Sequence, residues 1–392
     1  MIHRTRGSRK GVSSLLLLLA VICAGPASAQ QAEPVRIGAL LDMTGGFADF
    51  GLKFKAGIEF RLEEANWAVA GRPIKLIIAD SASQQPAVAL DQGKKLVEQD
   101  KVHVVIGPLT SGPRLAVEPY FAERRVPTLT VSSHTIAAKK FGWTVFTRGT
   151  LWQVPYPLGV FAAEQLGLKT VSTIATDFVA GREYTAAFVD GFKQKGGAVG
   201  QQQWPPLGTP DFGPYLVGLR EADGLAVMLG GTDILRFLKQ YAEFGLLKKK
   251  TRILLPTAAV LEDIRLQELG DITVGIIGAD DYAKRLDSPA NKRFISAFES
   301  KSRTRAEKHQ AAAYESTSIV LQALEATRGD TDPEKLRQAM FQVRLETPSG
   351  PLSFTPSGIA IRDVYVMEAR KIGNEYGWVP LRTYPKIRHP GE

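Results

Sequence analysis

Residues 104–113 read Val-Val-Ile-Gly-Pro-Leu-Thr-Ser-Gly-Pro. The apolar run at residues 102–106 predicts a buried strand, and the glycine and proline after it predict a turn. Pro113 suits the first turn of a helix, because the N–H that proline lacks is not needed there. This stretch therefore predicts a strand that turns into a helix N-terminus, where free backbone N–H groups and the helix dipole favour an anion. Ser111 is also expected to cap that helix.

The same order of strand and helix recurs on both sides of this stretch. Predicted strands at residues 35–41 and 74–79 alternate with predicted helices at 51–67 and 86–100. After Phe146 the pattern starts again. Its strands are predicted at residues 171–175, 225–229, 253–255 and 274–277, its last long helices at 291–301, 310–327 and 333–342, and a hairpin at 352–354 and 364–368. Such alternation predicts an α/β fold with two doubly wound parallel-sheet lobes, which bind ligands beyond the carboxyl ends of their strands.

The N-terminal segment differs from the rest of the chain. A basic stretch precedes an apolar run at residues 12–23, and Ala27-Ser28-Ala29 provides an A-x-A cleavage site. This order predicts a secretory signal peptide over residues 1–29, cut before Gln30, and hence a periplasmic protein. A membrane anchor is the alternative. A lipid on Cys23 is not expected, because Ile22 occupies the position where a lipobox has glycine or alanine.

Net charge and the absence of known motifs argue against several classes of function. The formal net charge is +9 over 392 residues, and the basic residues are scattered, so no nucleic-acid partner is expected. The single cysteine lies in the predicted leader, which leaves no thiol for catalysis, a disulfide or zinc. The sequence contains no P-loop, dinucleotide-binding glycine motif, nucleophile elbow or zinc-protease motif. The chain is therefore predicted to be no enzyme and to use no cofactor or metal.

Several segments resemble the leucine/isoleucine/valine-binding proteins, which are type I periplasmic binding proteins. The opening Val-Arg-Ile-Gly at residues 35–38 and Thr-Gly-Gly-Phe-Ala-Asp-Phe-Gly at 44–51 carry this likeness. Further matching segments lie, in the expected order, at residues 104–112, 127–135, 146–148, 190–192 and 288–291. The resemblance implies two lobes joined by three hinge crossings, a ligand trapped in the cleft between them, and delivery to the membrane permease of an ABC transporter.

The same resemblance implies lobe boundaries and a ligand site. Residues 30–150 and 282–350 would form the first lobe, and residues 151–281 and 351–392 the second lobe and tail. By position, Ser111, Ser133 and Thr135 would hold a ligand carboxylate, with Thr110 beside them. His134, in the same loop, is interpreted as a polar wall residue of the pocket rather than a general base.

One departure from the family bears on the ligand class. Amino-acid binders of this family place a glutamate after the proline at residue 256, where it pairs with the ligand ammonium, but this chain has Thr257. A buried ammonium without a partner would cost several kcal/mol. The change therefore argues against a free amino acid, although Asp233, Asp280 or Asp281 could restore the negative charge.

Aromatic residues are candidates for the remaining wall. Phe50 stands where amino-acid binders often have a ring, and Trp152 and Tyr282 lie near predicted crossings; ordinary core positions are the alternative interpretation for each. Ala180 stands where branched-chain binders usually have tyrosine, which leaves room for a larger ligand.

These features together predict a monomeric receptor for an aromatic or other hydrophobic carboxylate. Branched-chain amino acids, short amides or urea remain alternative ligands. A ligand-sensing receptor of the same fold remains an alternative function.

Overall fold

The computed structural model describes residues 1–5, 7 and 32–392. The apolar run and the cleavage site of the predicted leader lie outside these residues. Met1–Ala32 and Glu33–Glu392 are separate units; the described residues of the first contain no helix or strand, and the following account concerns the second.

The first sheet is built from the N-terminal third of the chain. Its strands are β1 (Val35–Leu41), β2 (Ala68–Val69), β3 (Arg72–Asp80), β4 (Val104–Ile106), β5 (Thr128–Leu129) and β6 (Thr144–Val145). They lie in the order β2-β3-β1-β4-β5-β6, and every pair except β2–β3 is parallel.

Helices cover both faces of this sheet. They are α1 (Ala48–Glu64), α2 (Pro86–Glu98) and α3 (Ser111–Glu123), to which α9 (Pro289–Ser302), α10 (Lys308–Ala326) and α11 (Pro333–Gln342) are added later in the chain. In β4, Val104 and Ile106 pack into the core formed with α1, α10 and α11. Val105 packs on the opposite face with α2 and α3. Successive side chains of a strand point to opposite faces, so a strand buried on both sides reads as a continuous apolar run.

The second sheet is larger and mixed. Its strands are β7 (Thr170–Ala175), β8 (Ala198–Gln203), β9 (Gly224–Met228), β10 (Arg252–Leu255), β11 (Ile277–Asp280), β12 (Leu345–Thr347), β13 (Gly350–Phe354), β14 (Ala360–Ile372) and β15 (Glu375–Ile387). The order is β12-β13-β14-β11-β10-β9-β7-β8, with β15 paired to β14. The strands from β7 to β11 pair in parallel, whereas β11 and β14 pair antiparallel. Its helices are α4 (Pro155–Glu164), α5 (Val179–Gln194), α6 (Gly213–Val217), α7 (Asp233–Glu243) and α8 (Asp263–Leu269).

The predicted two-lobed α/β fold is confirmed, and the chain passes between its lobes three times. It leaves the first sheet after β6, returns after β11 to form α9 to α11, and enters the second sheet again through β12 and β13, which lead into β14. No helix in the described residues is both long and apolar enough to cross a membrane.

Several strands were not predicted from the sequence, and the longest of them are β8 and β15. β8 is rich in glutamine and alternates between exposed and half-exposed residues, so no apolar pattern marks it. β15 is largely exposed and is formed by pairing along β14. The strand predicted at 274–277 instead begins at Ile277, because Val274 is half exposed and Gly275 adopts a left-handed conformation.

A buried ion cluster joins the three passages between the lobes. Arg148 follows β6, and its guanidinium lies 2.5 Å from Asp281, just after β11, and 2.5 Å from Glu315 on α10. Arg362 on β14 lies 2.7 Å from the same Glu315 carboxylate. All four side chains are at most 3% exposed. The ion pairs therefore tie together segments that meet only in the folded chain.

Candidate functional site

A cavity of about 100 Å³ lies between the two sheets, where the strands end. Its walls come from the loops after β1, β4 and β5 in the first lobe, from the loops after β7, β9 and β10 in the second, and from the first turn of α10. The lining residues are Phe47, Phe50, Leu109, Thr110, Ser111, Val131, Ser132, Ser133, Leu151, Phe178, Ala180, Tyr184, Met228, Gly230, Gly231, Thr257, Ala259, Val260, Lys308 and His309. This volume is somewhat smaller than that of an apolar cavity of about 150 Å³ that holds benzene.

The N-terminus of α3 forms one wall. Thr110, not Ser111, is the N-cap, and its side chain makes no cap hydrogen bond. Its Oγ1 atom is buried without a hydrogen-bond partner among the described residues. The backbone N–H groups at the start of a helix have no partner within the helix, and those of Ser111 and Gly112 donate no hydrogen bond in the described part of the chain. This wall therefore presents donors to an anion.

The hydroxyl of Ser111 is already engaged. His134 Nε2 lies 3.1 Å from the carbonyl oxygen of Pro108, which can only accept, so Nε2 carries the proton. Burial and the nearby Arg114 guanidinium hold the pKa of His134 well below its ordinary value, so the ring is neutral. Its Nδ1 must then accept the Ser111 hydroxyl proton at 3.2 Å. The expectation that Ser111 caps the helix is therefore wrong, since its hydroxyl is directed to His134.

The other two predicted carboxylate ligands are engaged in a similar way. Ser133 Oγ donates to the Arg148 carbonyl oxygen at 2.9 Å. Thr135 Oγ1 donates to Glu183 at 2.6 Å and does not line the cavity. A hydroxyl has one proton to donate, so neither has one left for a ligand in this arrangement.

Lys308 brings a positive charge to the cavity. Its ammonium lies 3.1 Å from Asp281 and also contacts Asp280. Burial lowers its pKa, but these two carboxylates more than offset that effect, so the pKa lies above its ordinary value. An ammonium has three N–H donors. The two carboxylates use two of them, which leaves one N–H for a ligand.

Lys308 and its neighbour His309 are not among the predicted site residues, because the sequence pattern places the start of this helix at residue 310. In the structure, α10 begins at Lys308 with a reciprocal capping box between Glu307 and Gln310. The usual capping-box sequence has Ser, Thr, Asp or Asn three residues before Glu or Gln. The variant Glu-x-x-Gln could have placed both residues in the first turn if it had been read as a capping box.

Phe50 lies in the cavity wall and is stacked on a second ring. The His309 and Phe50 ring centroids are 4.2 Å apart at an angle of 10°, and Phe54 meets His309 edge-on at 5.0 Å. The Arg265 guanidinium carbon is 4.8 Å from the Phe50 centroid. These contacts fix Phe50 as a rigid apolar surface at the cleft.

The second lobe supplies a wall without a carboxylate. Thr257 lines the cavity, and its hydroxyl accepts a hydrogen bond from the Ala259 backbone at 3.3 Å. Ala180 also lines it, and Tyr184, one turn further along α5, contributes an aromatic ring that the sequence analysis missed. Among the described lining residues there is no aspartate or glutamate.

Six of the predicted site residues lie outside the cavity lining: His134, Thr135, Trp152, Asp233, Asp281 and Tyr282. Asp233 binds the Gly208 backbone at 2.8 Å and pairs with Arg236. Trp152 stacks on Tyr156, with the ring centroids 4.1 Å apart. Their side chains are occupied by other parts of the protein.

Asp281 and Tyr282 have structural partners as well. Asp281 belongs to the buried ion cluster through Arg148, and Tyr282 packs among the rings beside α9, with its hydroxyl 3.3 Å from Asn291. None of the three acidic candidates, Asp233, Asp280 and Asp281, is thus among the residues that line the cavity.

Comparison with known proteins assigns the chain to a family. The family model described as periplasmic binding protein matches residues 34–374. The chain belongs to the periplasmic binding protein family. The family is a periplasmic one, and the chain is a solute-binding protein rather than an enzyme. The described residues contain no group of three or more histidine, cysteine or acidic side chains that could hold a metal ion.

Individual periplasmic binding proteins resemble this one over nearly their whole length. The Leu/Ile/Val-binding protein homolog 6 of Brucella melitensis is 27% identical over 373 residues, covering 93% of this chain and 95% of the relative. An ABC-transporter solute-binding protein from Rhodopseudomonas palustris BisB5, solved with 3,4-dihydroxybenzoic acid, has a TM-score of 0.87 and 27% identity. It covers 92% of this chain and 99% of that one. Another from R. palustris, solved with 4-hydroxybenzoate, has a TM-score of 0.85 and 28% identity, with 90% and 98% coverage.

Proposed function

We propose that this protein captures a small aromatic or other hydrophobic carboxylate and delivers it to the membrane permease of an ABC transporter. The observation that carries the proposal is the charge of the cavity wall. Lys308 and the free donors at the start of α3 face the cavity, and no acidic side chain is among the described lining residues. A carboxylate is stabilised by such a wall, whereas a ligand ammonium would be buried without a partner.

The apolar part of the wall supports a ring. Phe47, Phe50 and Phe178 line the cavity together with Leu109 and Met228. Aromatic side chains contribute large apolar contact areas and stack favourably on planar ligands. The two R. palustris proteins named above were solved with hydroxylated benzoates, which agrees with this ligand class.

For the carboxylate itself we propose a different set of contacts from the one that the sequence suggested. The Ser111, Ser133 and Thr135 hydroxyls donate to acceptors inside the protein. We propose instead that the Thr110 hydroxyl, the first backbone N–H groups of α3 and the Lys308 ammonium donate to the ligand carboxylate.

A thermal-shift and calorimetry panel tests the proposed function. Benzoate, phenylpropanoate and branched oxoacids should raise the melting temperature more than leucine, isoleucine and valine. Ligand at 100 times its dissociation constant stabilises by about 2.7 kcal/mol, which shifts the transition by several degrees. The largest shift from leucine or valine would favour the branched-chain alternative, which the name of the Brucella relative supports.

We further propose that residues 1–29 are removed on export, and that the protein acts as a monomer without a nucleic-acid partner. For the lobes we propose the boundaries 30–150 with 282–350, and 151–281 with 351–392. The packing of α10 against the first-lobe core supports its assignment to that lobe, although Leu352 and Phe354 also pack in the same core. N-terminal sequencing of periplasmic material should find Gln30 first, and a retained Met1 would contradict the leader assignment.

A further inference from the structure

His309 is held in one orientation at the cavity wall. It is the second residue of α10, lies between Phe50 and Phe54, and is 5% exposed. Consecutive helix residues point in different directions. Accordingly, Lys308 contacts Asp280 and Asp281, whereas His309 contacts Phe50 and Glu262. The ammonium and the imidazole therefore occupy different parts of the wall.

The contacts of His309 fix its tautomer. Nδ1 lies 2.6 Å from Glu262 Oε1, and the same carboxylate receives the Lys53 ammonium at 2.8 Å. A carboxylate paired with lysine accepts hydrogen bonds, so Nδ1 carries the proton. Burial lowers the pKa of His309, and the nearby Lys53 and Lys308 also act in that direction; together they outweigh the opposing effect of Glu262. The ring is therefore neutral, and Nε2 has a free electron pair.

That electron pair has no partner in the protein. Nε2 makes no hydrogen bond within the described part of the chain, although the ring is almost wholly buried. Nε2 is not among the fully buried unpaired atoms of the described residues, so this atom keeps some accessible surface. Because His309 lines the cavity, a bound ligand can supply the missing donor.

We propose that His309 Nε2 accepts a hydrogen bond from a hydroxyl group on the ligand ring, so that the protein prefers hydroxylated aromatic carboxylates to benzoate. This inference rests on the proposed function. Lys308 and the start of α3 bind the carboxylate of the ligand, and His309 accepts a hydrogen bond from the hydroxyl on another part of the ligand ring. A methoxy group of similar size has no proton to donate, and the site should reject it.

Calorimetry with matched ligands tests the proposal. Benzoate, 3- and 4-hydroxybenzoate and the two corresponding methoxybenzoates are titrated into the wild-type protein and into His309→Phe. The phenylalanine keeps a ring against Phe50 but has no acceptor. At least one hydroxybenzoate should bind the wild type about tenfold more tightly than benzoate and its methoxy counterpart. His309→Phe should lose that preference and still bind benzoate.

The outcomes separate this inference from the proposed function. Equal affinity of the wild type for benzoate and both hydroxybenzoates, or a preference that survives in His309→Phe, overturns the role of His309 while aromatic carboxylates still bind. If no aromatic carboxylate binds, the proposed function fails instead. Should His309→Phe not fold, the imidazole ¹⁵N signals of the wild type decide. The Nε2 signal should shift with the preferred hydroxybenzoate and not with benzoate, and equal shifts would overturn the inference.

Discussion

Replacing Lys308 with methionine tests the assignment of a cation to the ligand carboxylate. Methionine retains a long apolar side chain but removes the ammonium that lies at the cavity wall. A hydrogen bond to a charged group contributes about 1.5–3 kcal/mol. We therefore expect the dissociation constant for an aromatic carboxylate to rise by roughly 10- to 150-fold.

The loss of ligand affinity must be separated from a loss of folding stability. Lys308 also neutralises Asp280 and Asp281, so its loss should lower the free energy of unfolding by about 3–5 kcal/mol. The assay is therefore calorimetry with benzoate and with benzamide, which has nearly the same shape and no charge. Lys308→Met should weaken benzoate binding much more than benzamide binding.

Lys284→Met is the matched control. Lys284 is also a largely buried lysine near the end of β11, paired with Glu299 at 3.2 Å, but it does not line the cavity. It should change affinity for neither ligand. Equal losses for benzoate and benzamide in Lys308→Met, or the same loss of benzoate affinity in Lys284→Met, would refute the electrostatic reasoning.

Three further variants test the cavity and the framework. Thr110→Val should weaken carboxylate binding by about tenfold in calorimetry, because it removes a free donor, and more than Ser111→Ala does; the reverse order would contradict the proton assignment. Burial raises the pKa of Asp42 to about 6 in the folded protein. The stability that the protonated carboxyl contributes is therefore complete below the pKa of Asp42 in the unfolded chain, and it is lost as the pH rises through 6. Denaturant unfolding should show Asp42→Asn gaining roughly 2.4 kcal/mol relative to wild type between pH 4 and pH 8, and a difference independent of pH would contradict this. Arg148→Met should cost about 3–5 kcal/mol of unfolding free energy, and adding Asp281→Asn should recover part of it; a fully additive double variant would contradict the ion-pair account.

The sequence could predict the fold because the decisive signals are local. An apolar run such as Val104–Ile106, followed by a glycine turn and a proline, defines a strand-to-helix junction wherever it occurs. Once strands and helices alternate, the carboxyl ends of parallel strands must meet at one edge. Phe50, Thr110 and Thr257 could therefore be placed near one cleft from their positions after predicted strands, and all three line the cavity.

The sequence could not decide how the polar groups are paired. Whether the Ser111 hydroxyl is free depends on His134 and, through it, on the carbonyl of Pro108. Asp281 was a plausible partner for a ligand until the fold brought Arg148 within 2.5 Å. Proton assignments and ion pairs depend on atoms far apart in the chain, which periodicity does not report.

The amino-acid sequence by itself determined the α/β architecture, the strand ends that form the cleft, and the threonine at residue 257 in place of an acidic residue. Only the tertiary structure decided that Lys308 and His309, from a helix more than a hundred residues after the α3 wall, complete the cavity. The architecture could be predicted because backbone pattern and turn chemistry act over a few residues. The charge and the donor content of a cavity are sums over side chains that meet only when the lobes pack.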